Sequence, residues 1–187
     1  MGTSVNQSSP RTLNWKAAQA GYRDPKVSIS RVASEVWRAA LNQETGNIEQ
    51  LLSQRIVARI GALLGETSSR MDLTRMSAIE IARSKHSSLA AEIARRACTQ
   101  VAGASDWRTA FTARLFAEAT SYLVSRDLPG YVGLGRLQNV AESMTFKSNL
   151  SQYAAEVATR VERPRQLTEA NWAAHVRNVV NHLKGSR

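Results

Sequence analysis

The sequence is short of cysteine and of long apolar runs, and both shortages limit where the protein can work. Cys98 is its one cysteine, which excludes a disulfide within the chain, so we expect a reducing compartment, the cytoplasm. No apolar run approaches the roughly 18 residues that cross a membrane, and the first ten residues lack the features of a secretory signal. No acidic residue precedes Asp24, as in cleaved transit peptides, so import into an organelle stays open.

The sequence also lacks the motifs of common catalytic and cofactor sites. Gly130, Gly133 and Gly135 have the spacing G-x-x-G-x-G, which differs from the dinucleotide-binding pattern G-x-G-x-x-G. His175 and His182 lie on one polar flank of the last predicted helix, about 10.5 Å apart along its axis, too far to hold one metal ion. No motif supports a Ser-His-Asp set, a Cys-His set or a pair of catalytic acids. We therefore expect no enzyme, no metal or other cofactor and no small-molecule substrate.

Positive charge is what the sequence has in excess. Basic residues outnumber acidic ones by 25 to 15, which gives a net charge of +10. Twenty of the basic residues are arginine, whose planar guanidinium group suits the oxygen atoms of phosphate. A GC-rich genome would explain the ratio of arginine to lysine, but not the surplus of ten charges. This surplus predicts a polyanionic or acidic partner.

Helical periodicity runs through the chain from residue 27 onward and never gives way to a strand pattern. Asn47, Ser88 and Thr168 stand where the N-cap residues of helices belong. The helices are predicted at residues 28–42, 47–65, 72–85, 88–103, 105–126, 148–162 and 168–183. This pattern predicts an all-α protein in which residues 27–187 form a single compact bundle of six or seven helices.

Residues 127–136, with the sequence DLPGYVGLGR, are the one long interruption of the helical pattern. The Pro129-Gly130 pair is a turn signal and favours an irregular connection between two helices. The alternative is a flexible loop in which Tyr131 and Arg136 contact a partner.

Residues 1–26 are interpreted as a polar and basic N-terminal arm. Arg11, Lys16 and Arg23 are predicted to contact nucleic-acid backbone from this arm. Trp15 and Tyr22 alternate with these charges, and aromatic side chains in such a setting can stack on unpaired bases.

Two arginines occupy an unexpected place on the second predicted helix. On a helical wheel, Arg55 and Arg59 fall within the apolar stripe, where two unpaired guanidinium groups would be very costly to bury. They either extend to solvent or pair with an acid such as Glu49 or Glu80. The functional interpretation is that this face contacts phosphates or an acidic patch of a partner.

Further cations are concentrated at two places in the sequence. Arg95 and Arg96 are adjacent, and Arg160, Arg163 and Arg165 follow one another at the end of a predicted helix. Cations at that position also suit the helix dipole, so the second group has a structural explanation as well. We predict that both groups contact nucleic-acid backbone.

The charge and the helical pattern together favour a non-catalytic subunit of a nucleoprotein assembly. A helical bundle would pack against copies of itself or other subunits while its arginines bind phosphates largely independently of sequence. RNA or single-stranded DNA is favoured, with duplex DNA as a further candidate and no membrane. In this general character the chain is similar to small helical subunits of RNA-guided effector complexes and to helical nucleocapsid proteins.

Two other functions stay open. The same arginines would serve a basic adaptor that binds an acidic protein partner. A helix-turn-helix regulator is the third hypothesis, because residues 28–37 and 89–100 partly match that motif. Both stretches depart from it at the turn glycine, where they have Trp37 and Cys98.

Overall fold

The computed structural model describes residues 10–42, 47–66, 88–101, 106–162, 164 and 168–185. These residues form eight α-helices and one short 3₁₀-helix, so the predicted all-α class is confirmed. The helices are α1 Pro10–Arg23, α2 Ile29–Leu41, α3 Ile48–Leu52, α4 Arg55–Glu66, α5 Leu89–Gln100, α6 Trp107–Ser125, the 3₁₀-helix Leu128–Tyr131, α7 Val140–Arg160 and α8 Glu169–Leu183. The helix predicted at residues 72–85 lies outside the described residues. None of the described helices is long and apolar enough to span a membrane.

The helices begin where the sequence places capping residues. The side chains of Asn47, Ser88 and Thr168 each accept a hydrogen bond from a backbone N–H in the first turn that follows. Such a bond satisfies one of the donors that a helix leaves unpaired at its start. Asn139 caps α7 in the same way, so this helix begins eight residues before the predicted start at residue 148.

The predicted helix from Asn47 to Gly65 is divided in two. α3 ends at Leu52 and α4 begins at Arg55, with Ser53 and Gln54 between them. A helical wheel assumes one continuous helix, so the break changes which residues of α4 face inward. Arg55 and Arg59 are exposed, and the prediction that they lie within the apolar face is wrong.

α6 is the central helix, as its all-round apolar character predicts. It packs against α2, α4, α5 and α7, and Phe111, Leu115 and Phe116 are fully buried. The indole N–H of Trp37 on α2 donates a 3.1 Å hydrogen bond to the hydroxyl of Thr120 on α6. Both residues are buried, so this bond joins the two helices inside the core.

α1 occupies much of the segment interpreted as an arm. It packs on α2, and its Trp15, Ala18 and Tyr22 belong to the same buried core as the other helices. The spacing of these three residues places them on one face of a helix, although cations on the other faces mask the pattern. Because Trp15 and Tyr22 are buried, neither is available to stack on a base, as their position among charges suggested.

The connection between α6 and α7 is fastened to the end of α1. The backbone N–H of Arg136 donates to the carbonyl of Arg23, and its guanidinium donates to the carbonyl of Val27. The same guanidinium lies 4.8 Å from the ring centre of Phe146, and its burial lowers the pKa of Arg136. Tyr131 packs edge-on against Tyr22, with 5.4 Å between ring centres. The segment is thus an irregular connection, and its side chains Tyr131 and Arg136 contact the bundle.

Candidate nucleic-acid interface

One carboxylate holds both arginines of the Arg95-Arg96 pair on α5. Glu92 accepts two hydrogen bonds from Arg95, of 2.8 and 3.0 Å, and one of 2.8 Å from Arg96. Hydrogen bonds from these two arginines lower the pKa of Glu92 to about 2, because they stabilise its charged form. Both arginine side chains are more than half exposed. The three residues therefore present a net charge of +1 to solvent.

A second carboxylate is shared in the same way by Arg55 and Arg59. Glu169, the first residue of α8, accepts a 3.2 Å hydrogen bond from Arg59. Its other oxygen lies 3.9 Å from Nε of Arg55, whose side chain is 92% exposed. Glu169 lies beside these two arginines, whereas Glu49, which the sequence suggested, bonds to Arg177 at 3.0 Å. Glu80 lies outside the described residues.

The other predicted residues lie apart from these two pairs. Arg160 ends α7, is largely exposed and lies 3.7 Å from Glu156. Lys16 and Arg23 are exposed on α1, where the guanidinium of Arg23 lies 5.2 Å from the ring centre of Tyr131. The side chain of Arg11, and all of Arg163 and Arg165, lie outside what the structure describes.

The helices that carry the two shared carboxylates, α5 and α8, both pack against α3 and α4. The structure thus places Arg55, Arg59, Arg95 and Arg96 on adjoining helices, whereas Lys16 and Arg23 belong to α1. Arg177 of α8 is an exposed cation that the sequence analysis missed, because it stands alone among asparagines and forms no run of charge.

A polar cavity of about 290 Å³ lies between the start of α6, the end of α7 and α8. Its floor holds Thr112 and His175, each only 2% exposed, and its rim holds the exposed Arg160 and Glu162. The Thr112 hydroxyl has no hydrogen-bond partner among the residues that the structure describes. The cavity is lined by Thr109, Thr112, Ala158, Thr159, Arg160, Val161, Glu162, Pro164 and His175.

The prediction that His175 lies on the polar flank of α8 is wrong. His175 is buried 6.0 Å from the ring of Trp172, whereas His182 is exposed and bonds to the carbonyl of Asn178. On a helix His175 falls between Trp172 and Val179, both of which face the core. The two histidines therefore do not share a surface.

The two stretches that partly match helix-turn-helix spacing do not turn where that motif requires it. α2 continues through the buried Trp37 to Leu41, and α5 continues through the buried Cys98 to Gln100. In the described part of the chain, no three His, Cys, Asp or Glu side chains are grouped as a metal ion would require. Comparison of the chain with protein-family models, with curated proteins and with solved structures gave no match.

Proposed function

We propose that the chain is a non-enzymatic helical subunit of a nucleoprotein assembly that binds the backbone of RNA or single-stranded DNA. The observation that carries the proposal is the sharing of one carboxylate by two arginines, at Glu92 and again at Glu169. Glu92 balances only one of its two arginines, so this cluster keeps one positive charge on α5, beside the helix α4 that carries Arg55 and Arg59. Phosphate groups attract such charges whatever the base sequence.

The arginines retain hydrogen-bond donors that phosphate could use. A guanidinium group has five N–H donors. Arg95 uses two of them on Glu92, and Arg96 uses one, so most of the donors of this pair stay available. The shared carboxylate also holds the two long side chains near each other, which reduces the entropy lost when they bind a ligand.

A purely structural role explains the cluster at Glu92 less well. Ion pairs between exposed side chains contribute roughly 0 to 1 kcal/mol to stability, and Glu92 with its two arginines is such a group. The cluster at Glu92 also lies within a single helix and joins no two elements. Arg95 and Arg96 therefore contribute little to the stability of the fold, and their guanidinium groups are exposed to a ligand.

Exposed apolar side chains support the assembly part of the proposal. Val140 and Met144 are 64% and 63% exposed, and one helical turn separates them on α7. A protein subunit or a second copy of the chain could cover this face. Where the wild-type chain self-associates in sedimentation experiments, Met144→Glu should abolish the association, and an association that persists would exclude this face as the contact between copies.

The test of backbone binding is a salt series with labelled strands. Binding to single-stranded RNA, single-stranded DNA and duplex DNA is measured at about 50 and 200 mM salt, where phosphate-driven affinity falls steeply. Replacing Arg95 and Arg96 by Gln should weaken binding to all sequences alike and reduce the salt dependence. The matched control replaces the exposed Arg31 of α2 and the exposed Arg126 after α6 by Gln, which removes the same charge elsewhere.

Two results would contradict the proposal in different ways. Equal losses from the two double variants would mean that net charge binds nucleic acid and that the shared-carboxylate clusters have no special part. Absence of binding at the lower salt, for all three nucleic acids, would overturn backbone binding itself. The basic surface would then be tested against acidic protein partners.

A further inference from the structure

The polar cavity beside Arg160 has a hydrogen-bonding character that differs from that of the exposed arginine clusters. We infer that it receives one unpaired base of the bound strand, so that the chain binds single strands in preference to duplexes. The inference rests on the proposed function, because the arginines would supply the contacts to the backbone on either side of that base.

The floor of the cavity contains a polar group that the described fold leaves without a partner. Thr112 is 2% exposed, and its hydroxyl makes no hydrogen bond with the described residues. Buried polar groups are nearly always paired, so an unpaired one indicates that a water molecule or a ligand completes it. His175 lines the same floor and adds an imidazole ring.

The rim and walls of the cavity are complementary to a ligand that both donates and accepts hydrogen bonds. Arg160 can only donate and the Glu162 carboxylate can only accept, and both line the cavity. The hydroxyls of Thr109 and Thr159 already donate to Asp106 and to the Glu156 carbonyl, so towards a ligand they act as acceptors. The edge of a nucleobase offers donors and acceptors together.

A phosphate group fits this cavity less well than a base. Phosphate at neutral pH supplies acceptors and negative charge, and Glu162 at the rim would repel it. The volume of about 290 Å³ lies just below the range of roughly 300 to 1,000 Å³ found for drug-sized ligands, which suits a single ring system. Ala158 and Val161 add apolar wall against which a flat ring can lie.

Three of the tryptophan side chains lie inside the core. Trp15, Trp37 and Trp172 are all buried, so none of these three indole rings can stack on an unpaired base. Stacking on these three tryptophans therefore cannot give a preference for single strands, whereas a pocket for one base can.

The test compares an intact strand with an abasic one, using the full chain. A labelled single-stranded RNA and the same backbone without bases are titrated with the wild-type chain, with Thr112→Val and with Arg95→Gln/Arg96→Gln. We expect the wild type to bind the intact strand roughly tenfold more tightly than the abasic strand, the scale of one well-bonded base. Thr112→Val should remove most of this difference, whereas the arginine variant should weaken both strands alike.

Two further variants separate the cavity from general effects on charge and folding. Glu162→Gln removes a negative charge, so it should strengthen binding to the abasic strand while weakening the preference for bases. Thr112→Ser keeps the hydroxyl and should restore the preference. As an independent measurement, ultraviolet crosslinks from a strand that contains 4-thiouridine should fall within residues 109–112 or 158–162.

The outcomes distinguish this inference from the proposed function. If the abasic strand binds as tightly as the intact one, or if the crosslinks fall outside the cavity, the inference that the cavity binds a base is wrong. The proposal of backbone binding is unaffected by either result. If neither strand binds, both are wrong. A preference for bases that Thr112→Val leaves unchanged would assign the base contact to another part of the chain.

Discussion

Gly135 lies so close to the carbonyl oxygen of Arg23 that a Cβ atom built on this glycine would stand 1.9 Å from the oxygen. The next residue, Arg136, donates its backbone N–H to the same oxygen at 3.1 Å. Gly135 also has a φ of +57°, in the left-handed region that favours glycine. This contact fastens the connection between α6 and α7 to the end of α1, so the N-terminal helix is part of the bundle.

Gly135→Ala should therefore destabilise the protein strongly. The methyl group needs the backbone of Arg23 to move, and the left-handed conformation adds about 1 kcal/mol for a residue with a side chain. We expect a loss of about 3 kcal/mol or more in the free energy of unfolding, measured by chemical denaturation.

Two other glycines of the same connection serve as controls. Gly133 has a φ of +89° and no atom within 4 Å of its built Cβ, so Gly133→Ala should lose only the conformational part, about 1 kcal/mol. Gly130 has the same free space and no positive φ, so Gly130→Ala should lose nothing. Equal stability of the three variants would show that the contact between Gly135 and Arg23 does not form in solution.

The buried hydrogen bond between Trp37 and Thr120 leads to a second prediction. Thr120→Val keeps the shape of the side chain but leaves the indole N–H of Trp37 buried without an acceptor. Such a group destabilises a fold by roughly 1 to 3 kcal/mol, and we expect about 2 kcal/mol by denaturation. Thr120→Ser keeps the hydroxyl and should lose less, about 1 kcal/mol for the missing methyl group. A larger loss for Ser than for Val would mean that packing of the methyl group outweighs the hydrogen bond.

The sequence predicted the parts of the fold that depend on neighbouring residues. The caps at Asn47, Ser88 and Thr168 were predictable because an N-cap bonds within its own first turn. The break between α3 and α4 was not predictable from neighbouring residues. At this break the indole of Trp172 bonds to the Leu52 carbonyl, which lies 120 residues away in the sequence. The packing of α1 similarly depends on distant residues.

The same distinction applies to the candidate interface. Arg95 and Arg96 lie three and four residues after Glu92, a spacing that brings side chains together on any helix, so this cluster was accessible to sequence reasoning. Glu169 is 110 residues from Arg59, and only the packing of α4 on α8 reveals their contact. The cavity combines residues of three helices, and no local pattern identifies it.

Tyr22→Phe should stabilise the protein. The Tyr22 hydroxyl is fully buried and makes no hydrogen bond with the described residues, and its burial raises the pKa of the phenol above the ordinary value of 10.0. Removing the hydroxyl keeps the edge-on contacts with Tyr131 and Phe146 and removes a buried polar group. We expect a gain of about 1 kcal/mol in chemical denaturation.

The control for Tyr22 is Tyr131→Phe, which changes a half-buried side chain and should alter stability by less than about 0.5 kcal/mol. Because the pKa of Tyr22 is raised in the folded state, the stability linked to its proton is present below about pH 10 and decreases above it. Alkaline unfolding should therefore be weaker in Tyr22→Phe. A less stable Tyr22→Phe would indicate that water or a residue outside the described part bonds to the hydroxyl.

The carboxylate shared by Arg95 and Arg96 can be tested through its own titration. The pKa of Glu92 is about 2 instead of 4.5, and the hydrogen bonds from Arg95 are the largest cause. A lowered pKa keeps the carboxylate charged down to low pH. Between about pH 5 and pH 8 the charge of Glu92 should therefore not change, and Glu92 should not make nucleic-acid binding depend on pH. In carbon-13 NMR, Arg95→Gln should raise the midpoint for Glu92 towards 4.5, and by more than Arg96→Gln does. A midpoint near 4.5 in the wild-type chain would mean that the two arginines do not share this carboxylate in solution, and the preorganisation that supports backbone binding would be lost with it.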